Sequence, residues 1–128
     1  MAEHNKVGLR GEQLACQWLE THGFSVLHRN WRHGRDELDV VAREGGQLVV
    51  VEVKTRSSNR HGMPEEAVGP AKRRKLVRAA QAYLETFALD LDLRFDILGV
   101  TITSGGRIEY FHIREAFYPT IEDEAIEE

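Results

Sequence analysis

Two β-rich segments separated by a pair of glycines constrain this chain more than any other feature. Residues 37–43 and 48–55 are rich in valine, and Gly45-Gly46 lies between them. A two-residue glycine turn between such segments favours a tight antiparallel hairpin. Because the turn sets the pairing of every later position, the sequence predicts the register of the whole hairpin as well as its existence.

This register gives the hairpin two different faces. One face is wholly apolar and consists of Leu38, Val40, Ala42, Val49, Val51 and Val53. The other face is apolar near the turn and ionic at the far end, where Asp39 lies opposite Glu52 and Lys54 lies opposite Glu37. We expect the apolar face to pack in the core and the ionic end to form an accessible site.

The opposed carboxylates of Asp39 and Glu52 indicate a cation site. Directly facing side chains have Cβ atoms about 4.5–5.5 Å apart, where like charges are destabilising. A hard cation such as Mg²⁺ or Mn²⁺ offsets that repulsion and needs only one or two carboxylates besides water. The backbone carbonyl of Val53 is a candidate third ligand, and Lys54 could orient water or stabilise negative charge on a phosphate. This combination is typical of metal-dependent phosphodiester hydrolysis.

The same residues allow a simpler interpretation. Charged side chains on a strand face are commonly solvated, and Glu37 opposite Lys54 could form an ordinary cross-strand ion pair. The residue pattern alone leaves the metal site and the solvated face both open.

The remaining segments predict an α/β domain. Apolar residues at helical spacing predict helices over residues 5–22 and 70–87. Further strands are expected over residues 24–29, 93–103 and 107–113, with loops over 30–35 and 56–69. The order is therefore α-β-β-β-α-β-β, with a mixed central sheet of about five strands flanked by helices.

Composition is consistent with one small intracellular domain. The single cysteine, Cys16, rules out an internal disulfide and a zinc site built on several cysteines. No segment is apolar enough for a signal peptide or a membrane span, so we expect a cytoplasmic protein without a membrane partner. The 128 residues suit a single domain over residues 1–120, followed by a disordered acidic tail over 121–128.

A basic surface beside the hairpin favours a nucleic-acid partner. The net charge of −4 conceals it, because residues 121–128 hold five acidic side chains and no basic one, whereas residues 29–78 carry 12 Lys/Arg against 7 Asp/Glu. The candidate phosphate-binding residues are Arg56, Lys72, Arg73 and Lys75. The alternative is an ordinary solvated helix face.

Several motifs resemble those of the YraN family of small bacterial proteins. Asp39 followed by Glu52-Val53-Lys54 is similar to the PD-(D/E)XK pattern of restriction-endonuclease-like nucleases. The wider likeness to the family includes Gly8-x-x-Gly11-Glu12, Gly23-Phe24, Asn30-Trp31, Val51-Glu52-Val53-Lys54-Thr55-Arg56 and Arg94-Phe95-Asp96. It extends over roughly residues 6–117. One departure is Asp36, which stands where the family usually has glycine in a Gly-Glu-Ile-Asp segment.

The resemblance implies a restriction-endonuclease-like fold and a metal-dependent nuclease acting on DNA, including branched or damaged structures. It implies that Asp39 and Glu52 bind Mg²⁺ or Mn²⁺ and that Lys54 is the catalytic lysine. Glu12 would reach the same centre, where it would bind either a second metal ion or a group that ligates the first one. The alternative is a nucleic-acid-binding or scaffold protein that retains the fold without catalysis. A small domain offers little substrate surface, so a homodimer or protein partner is also expected.

Overall fold

The computed structural model describes residues 3–57 and 68–119. In chain order, the elements are helix α1 (Glu3–Thr21), strands β1 (Ser25–His33), β2 (Asp36–Glu44) and β3 (Gln47–Ser57), helix α2 (Pro70–Thr86), and strands β4 (Asp92–Ile102) and β5 (Ile108–Phe117). The predicted order α-β-β-β-α-β-β and the five strands are confirmed. Most of the loop predicted over 56–69 and the acidic tail predicted over 121–128 lie outside the described residues.

The sheet has the strand order β1-β2-β3-β4-β5, with β3 at its centre. Neighbouring strands are antiparallel except for β3 and β4, which are parallel. A parallel pair needs a long crossover connection, and α2 lies within that connection. Pro70 occupies the first turn of α2, where its missing N–H costs no helical hydrogen bond. The sheet is therefore mixed, as predicted.

One helix covers each face of the sheet. The core on the α1 side contains Ala15, Cys16, Leu19, Phe24, Val40, Ala42, Val49, Val51, Leu98 and Val100. The core on the α2 side contains Leu38, Val41, Leu48, Val50, Leu76, Val77, Ala79, Ala80, Tyr83 and Phe95. Because both faces of β2 and β3 are covered, these strands bury consecutive valines rather than alternating apolar and polar residues. No described helix is long and apolar enough to cross a membrane.

The hairpin forms in the predicted register near its turn. The β2 and β3 pairs run from Glu44 opposite Gln47 to Val40 opposite Val51. Gly45 has φ +60°, a left-handed conformation that glycine adopts without strain. Leu38 is the exception to the predicted faces, because it packs with the α2 side of the core instead of with Val40. The β2 backbone therefore changes face between these two residues, where the regular pairs with β3 end.

The loop predicted over residues 30–35 is wrong. Strand β1 continues to His33, which pairs with Asp36 across a second tight turn at Gly34. Trp31 pairs with Leu38 and is partly buried against the α2 side of the core. β1 is an edge strand with many solvent-exposed side chains, so its polar composition concealed a strand that the sheet stabilises through backbone pairing.

A network of ion pairs and hydrogen bonds connects the turn end of the hairpin to β4 and β5. The guanidinium of Arg94 donates to both carboxylate oxygens of Asp96 at 2.9 Å and to Glu44 Oε1 at 2.7 Å. Nε2 of His112 lies 2.8 Å from Asp96 Oδ2. Burial opposes ionisation of Asp96, but the hydrogen bonds from His112 and Arg94 hold its pKa below the ordinary value. These groups satisfy one another and stabilise the fold away from the ionic end of the hairpin.

Candidate metal centre

Asp39 lies where the regular pairing between β2 and β3 ends. Its Oδ2 accepts a hydrogen bond of 2.9 Å from the backbone N–H of Val53. A side-chain oxygen thus takes the place of a β2 carbonyl, and the carboxyl group points toward β3 at the level of Glu52. Asp39 and Glu52 are therefore not the regular cross-strand pair that the register predicted. The Asp39 side chain instead extends toward β3 just beyond the last regular pair.

Glu52 is almost completely buried, with 4% of its surface exposed. Its Oε2 lies 3.6 Å from Nζ of Lys54 and 3.2 Å from Nζ of Lys72. Its other oxygen, Oε1, is buried and has no hydrogen-bond partner. An unsatisfied carboxylate oxygen in the protein interior is costly, so this atom is a strong candidate for a ligand contact.

The electrostatic surroundings of Asp39 favour its neutral form. Burial has the largest effect, followed by the negative charge of Glu52. A side-chain hydrogen bond to Glu52 and the charge of Glu12 act in the same direction, whereas the Val53 N–H opposes them. The result raises the pKa of Asp39 to about 7. Without a cation, ionisation of Asp39 beside the charges of Glu52 and Glu12 is therefore unfavourable.

Glu12 approaches this pair from α1 because the helix packs closely against β3. A Cβ atom placed on Gly11 would lie 2.0 Å from Oγ1 of Thr55. Only glycine allows this separation between the helix and the strand. The position brings Glu12 near enough for its negative charge to raise the pKa of Asp39.

The donor set is suited to an open metal site rather than a closed one. Across residues 3–57 and 68–119, no group of three or more His, Cys, Asp or Glu side chains is close enough to hold an ion. Two carboxylates are sufficient for Mg²⁺, which keeps several waters and is bound by one or two carboxylates plus phosphate oxygens. The free Oε1 of Glu52 and the adjacent carboxyl of Asp39 therefore fit a hard divalent cation.

The simple ion pair between Glu37 and Lys54 does not form. Glu37 instead contacts Arg32 across β1 and β2, with Nη2 3.2 Å from Oε2. The side chain of Lys54 is 27% exposed, and its ammonium lies against Glu52. Lys54 is thus held at the Glu52 carboxylate with a route to solvent, which is the position a lysine needs to contact a water or a phosphate there.

Comparison with known proteins establishes the family. A family model described as "Uncharacterised protein family UPF0102" matches residues 11–100. The chain belongs to the UPF0102 family. The resemblance to the YraN family is thereby confirmed, since the two names denote the same family. UPF0102 proteins of Bacteroides thetaiotaomicron and Bacteroides fragilis are 50% and 49% identical, over 94% of this chain and 99% of theirs. A Porphyromonas gingivalis relative is 40% identical, over 94% of this chain and 90% of its own.

Two solved structures are similar to this UPF0102 chain in overall shape. One is Hjc, a Holliday junction resolvase of Archaeoglobus fulgidus, with 18% identity, a TM-score of 0.42 and coverage of 91% of this chain and 98% of that one. The other is SfsA of Pyrococcus furiosus in complex with Ca²⁺, with 18% identity and a TM-score of 0.42. That match covers 88% of this chain and 64% of SfsA.

The predicted phosphate-binding residues of this UPF0102 chain have different surroundings. Lys72 contacts Glu52 and thus joins the carboxylate centre. The guanidinium of Arg73 lies 5.9 Å from the ring centroid of Phe117, an arrangement that directs it toward β5. Lys75 is exposed on α2, and Arg56 is partly buried near the end of β3. The link between Lys72 and Glu52 was not predicted, because it depends on how α2 packs on the sheet.

Asp36, where this chain departs from the UPF0102 pattern, has its own partner. Its oxygens accept hydrogen bonds of 2.8 and 3.1 Å from Nε and Nη2 of Arg78. Asp36 is 8% exposed, and the hydrogen bond from Arg78 lowers its pKa. This two-point contact ties the start of β2 to α2. No local signal could have paired residues that lie 42 positions apart in the sequence.

Proposed function

We propose that this UPF0102 protein is a Mg²⁺- or Mn²⁺-dependent nuclease that hydrolyses phosphodiester bonds in DNA. Branched or damaged DNA is included among the candidate substrates. The observation that carries the proposal is the buried Glu52 carboxylate, whose Oε1 has no partner and whose neighbour Asp39 has a raised pKa. A centre with unsatisfied carboxylate oxygen and adjacent lysines is typical of metal-assisted phosphate chemistry.

Some residues around this centre would bind the cation, and others would contact the water or the phosphate. Asp39, Glu52 and the Val53 carbonyl would hold the ion, and Glu12 would add negative charge from α1. When bound, a divalent cation polarises a phosphate oxygen and lowers the pKa of a coordinated water. Lys54, with its ammonium against Glu52 and its side chain partly exposed, would orient the attacking water or stabilise charge on the phosphate.

The opening of α2 provides the surface for the DNA backbone. Lys72 and Lys75 lie in its first turns, and the helix dipole there also favours an anion. Arg56 and Arg73 would add further positive charge. Such contacts neutralise phosphates without reading bases, so we expect affinity to fall steeply with salt and to depend little on sequence.

The test is a cleavage assay with Mg²⁺ or Mn²⁺ on single-stranded, duplex, flap and four-way DNA. We expect the wild type to cleave at least one substrate, and Glu52→Gln or Lys54→Met to reduce the rate by about 100-fold or more. Glu37→Gln is the matched control, because it makes the same chemical change on β2 at a residue paired with Arg32. Equal cleavage by the wild type and Glu52→Gln would show that the assigned centre is wrong.

The runner-up, a nucleic-acid-binding or scaffold protein without catalysis, gives a different result. It predicts DNA binding with no cleavage of any substrate and no binding of Mn²⁺ at millimolar concentration. The two adjacent carboxyl groups favour the nuclease, because a binding protein gains nothing from placing Asp39 beside Glu52.

A further inference from the structure

The buried carboxylate of Glu52 has two ammonium groups on one oxygen. Both Lys54 and Lys72 contact Oε2, while Oε1 has no hydrogen-bond partner. The two lysines differ in origin and exposure. Lys54 is on the same strand and its side chain is 27% exposed, whereas Lys72 comes from α2 and is 43% exposed. The more exposed ammonium is also the closer one, at 3.2 Å against 3.6 Å.

The position of Lys72 on α2 shows that Glu52, and not a group on the helix, balances its charge. Lys72 lies in the first turn of α2, where the helix dipole is unfavourable for a cation. The first turn contains no acidic residue, and the N-cap, Gly69, has no side chain to offset the charge. The electrostatic partner of Lys72 is therefore Glu52 on β3, not a group on its own helix. A surface lysine thus supplies countercharge to a carboxylate that is 4% exposed.

We propose that Lys72 is an exchangeable counter-ion of Glu52 that competes with the divalent cation for this carboxylate. Without metal, its ammonium neutralises the buried charge from the solvent side. A cation that binds Oε1 and Asp39 places further positive charge beside it, so the ammonium is repelled and its long, exposed side chain moves into solvent. The freed ammonium is then available to a phosphate. This inference rests on the proposed function and adds a determinant of metal affinity to it.

The experiment is a calorimetric titration of the whole protein with Mn²⁺, without DNA. Removing the competing charge in Lys72→Met should tighten Mn²⁺ binding by about tenfold, since unit charges a few ångströms apart near a protein surface interact strongly. Lys72→Arg keeps the charge and should bind within about twofold of the wild type. Arg74→Met is the matched control, because it removes a positive charge from the same helix at a residue with no role in the carboxylate centre or in the proposed DNA contacts, and it should leave the affinity within about twofold.

Each outcome decides the proposal. Equal or weaker binding by Lys72→Met overturns it, as does equal tightening by Arg74→Met, which would indicate a general charge effect. If Lys72→Met does not fold, Lys72→Gln is used instead and should also bind Mn²⁺ more tightly than the wild type. If neither variant folds, Lys72 is a fixed structural partner of Glu52, and the proposal is overturned. If the wild type binds Mn²⁺ and Lys72→Met binds it with the same affinity, this inference is refuted and the proposed function is not. The absence of binding to every variant at millimolar Mn²⁺ refutes the proposed function with it.

Discussion

The Asp39→Asn substitution should stabilise the metal-free protein. Asparagine has the shape of a protonated aspartic acid, so its oxygen can accept the hydrogen bond from the Val53 N–H and its amide can donate to Glu52. What the substitution removes is the possibility of negative charge beside a second buried carboxylate. The gain in stability should therefore grow with pH once Asp39 ionises in the unfolded chain, and it should reach its full size where Asp39 is ionised in the folded protein as well.

The magnitude follows from the change in the pKa of Asp39 on folding. The folded protein raises it from 3.8 to about 7. Unfolding thus releases a proton between these values, and stability falls as the pH rises from about 4 to about 7, remaining low above that range. Each pH unit in the interval contributes about 1.4 kcal/mol, which sets an upper bound near 4 kcal/mol. Because Asp39 is partly exposed, we expect the measured difference to be about 2–3 kcal/mol.

Urea denaturation in the presence of EDTA measures this difference directly. Relative to the wild type, Asp39→Asn should have a free energy of unfolding about 2–3 kcal/mol higher near pH 8.5, and less than about 1 kcal/mol higher near pH 4. With EDTA replaced by millimolar Mg²⁺ at the higher pH, the wild type should recover stability and the variant should not, because binding to the native state adds to its free energy of unfolding. A difference below about 0.5 kcal/mol near pH 8.5 would refute the assigned pKa.

Four further substitutions test the helix packing and the ion pairs that stabilise the fold. Gly11→Ala should destabilise the protein by about 1–3 kcal/mol in urea denaturation, because its Cβ would overlap β3. Gly8→Ala meets nothing within 4 Å and should be neutral or stabilising by up to about 1 kcal/mol. Arg78→Ala should cost about 1–3 kcal/mol by leaving the buried charge of Asp36 unpaired, with recovery on lowering the pH until that carboxyl is protonated. Asp96→Asn should lower stability by about 3–5 kcal/mol in a thermal melt, since it turns an amide toward buried donors.

Specific results would contradict each of these expectations. Equal stabilities of Gly11→Ala and Gly8→Ala would show that α1 does not depend on the close approach to β3. A loss in Arg78→Ala that is the same at all pH values would attribute the effect to lost packing rather than to the ion pair. A thermal midpoint for Asp96→Asn within about 2 °C of the wild type would show that the network around Arg94 contributes little.

The resemblance and the hairpin pattern together predicted much of the site. The glycine turn defined a register that the structure confirms from Glu44 to Val40, because backbone pairing next to a tight turn is determined locally. The same register brought Asp39 to the level of Glu52. It did not predict that Leu38 would change face or that β1 would extend through Trp31, since both depend on neighbouring strands and on the helix above them.

Local sequence therefore determined the element order, the hairpin and the set of carboxylates and lysine that the hairpin carries. Only the tertiary structure decided which charges meet. The contacts of Lys72 with Glu52 and of Arg78 with Asp36 join α2 to β3 and β2 across long sequence separations. Periodicity specifies which face of an element is apolar, but it contains no information about which polar side chain on another element lies opposite. That is set by the strand order, the parallel crossover and the close packing of each helix on the sheet.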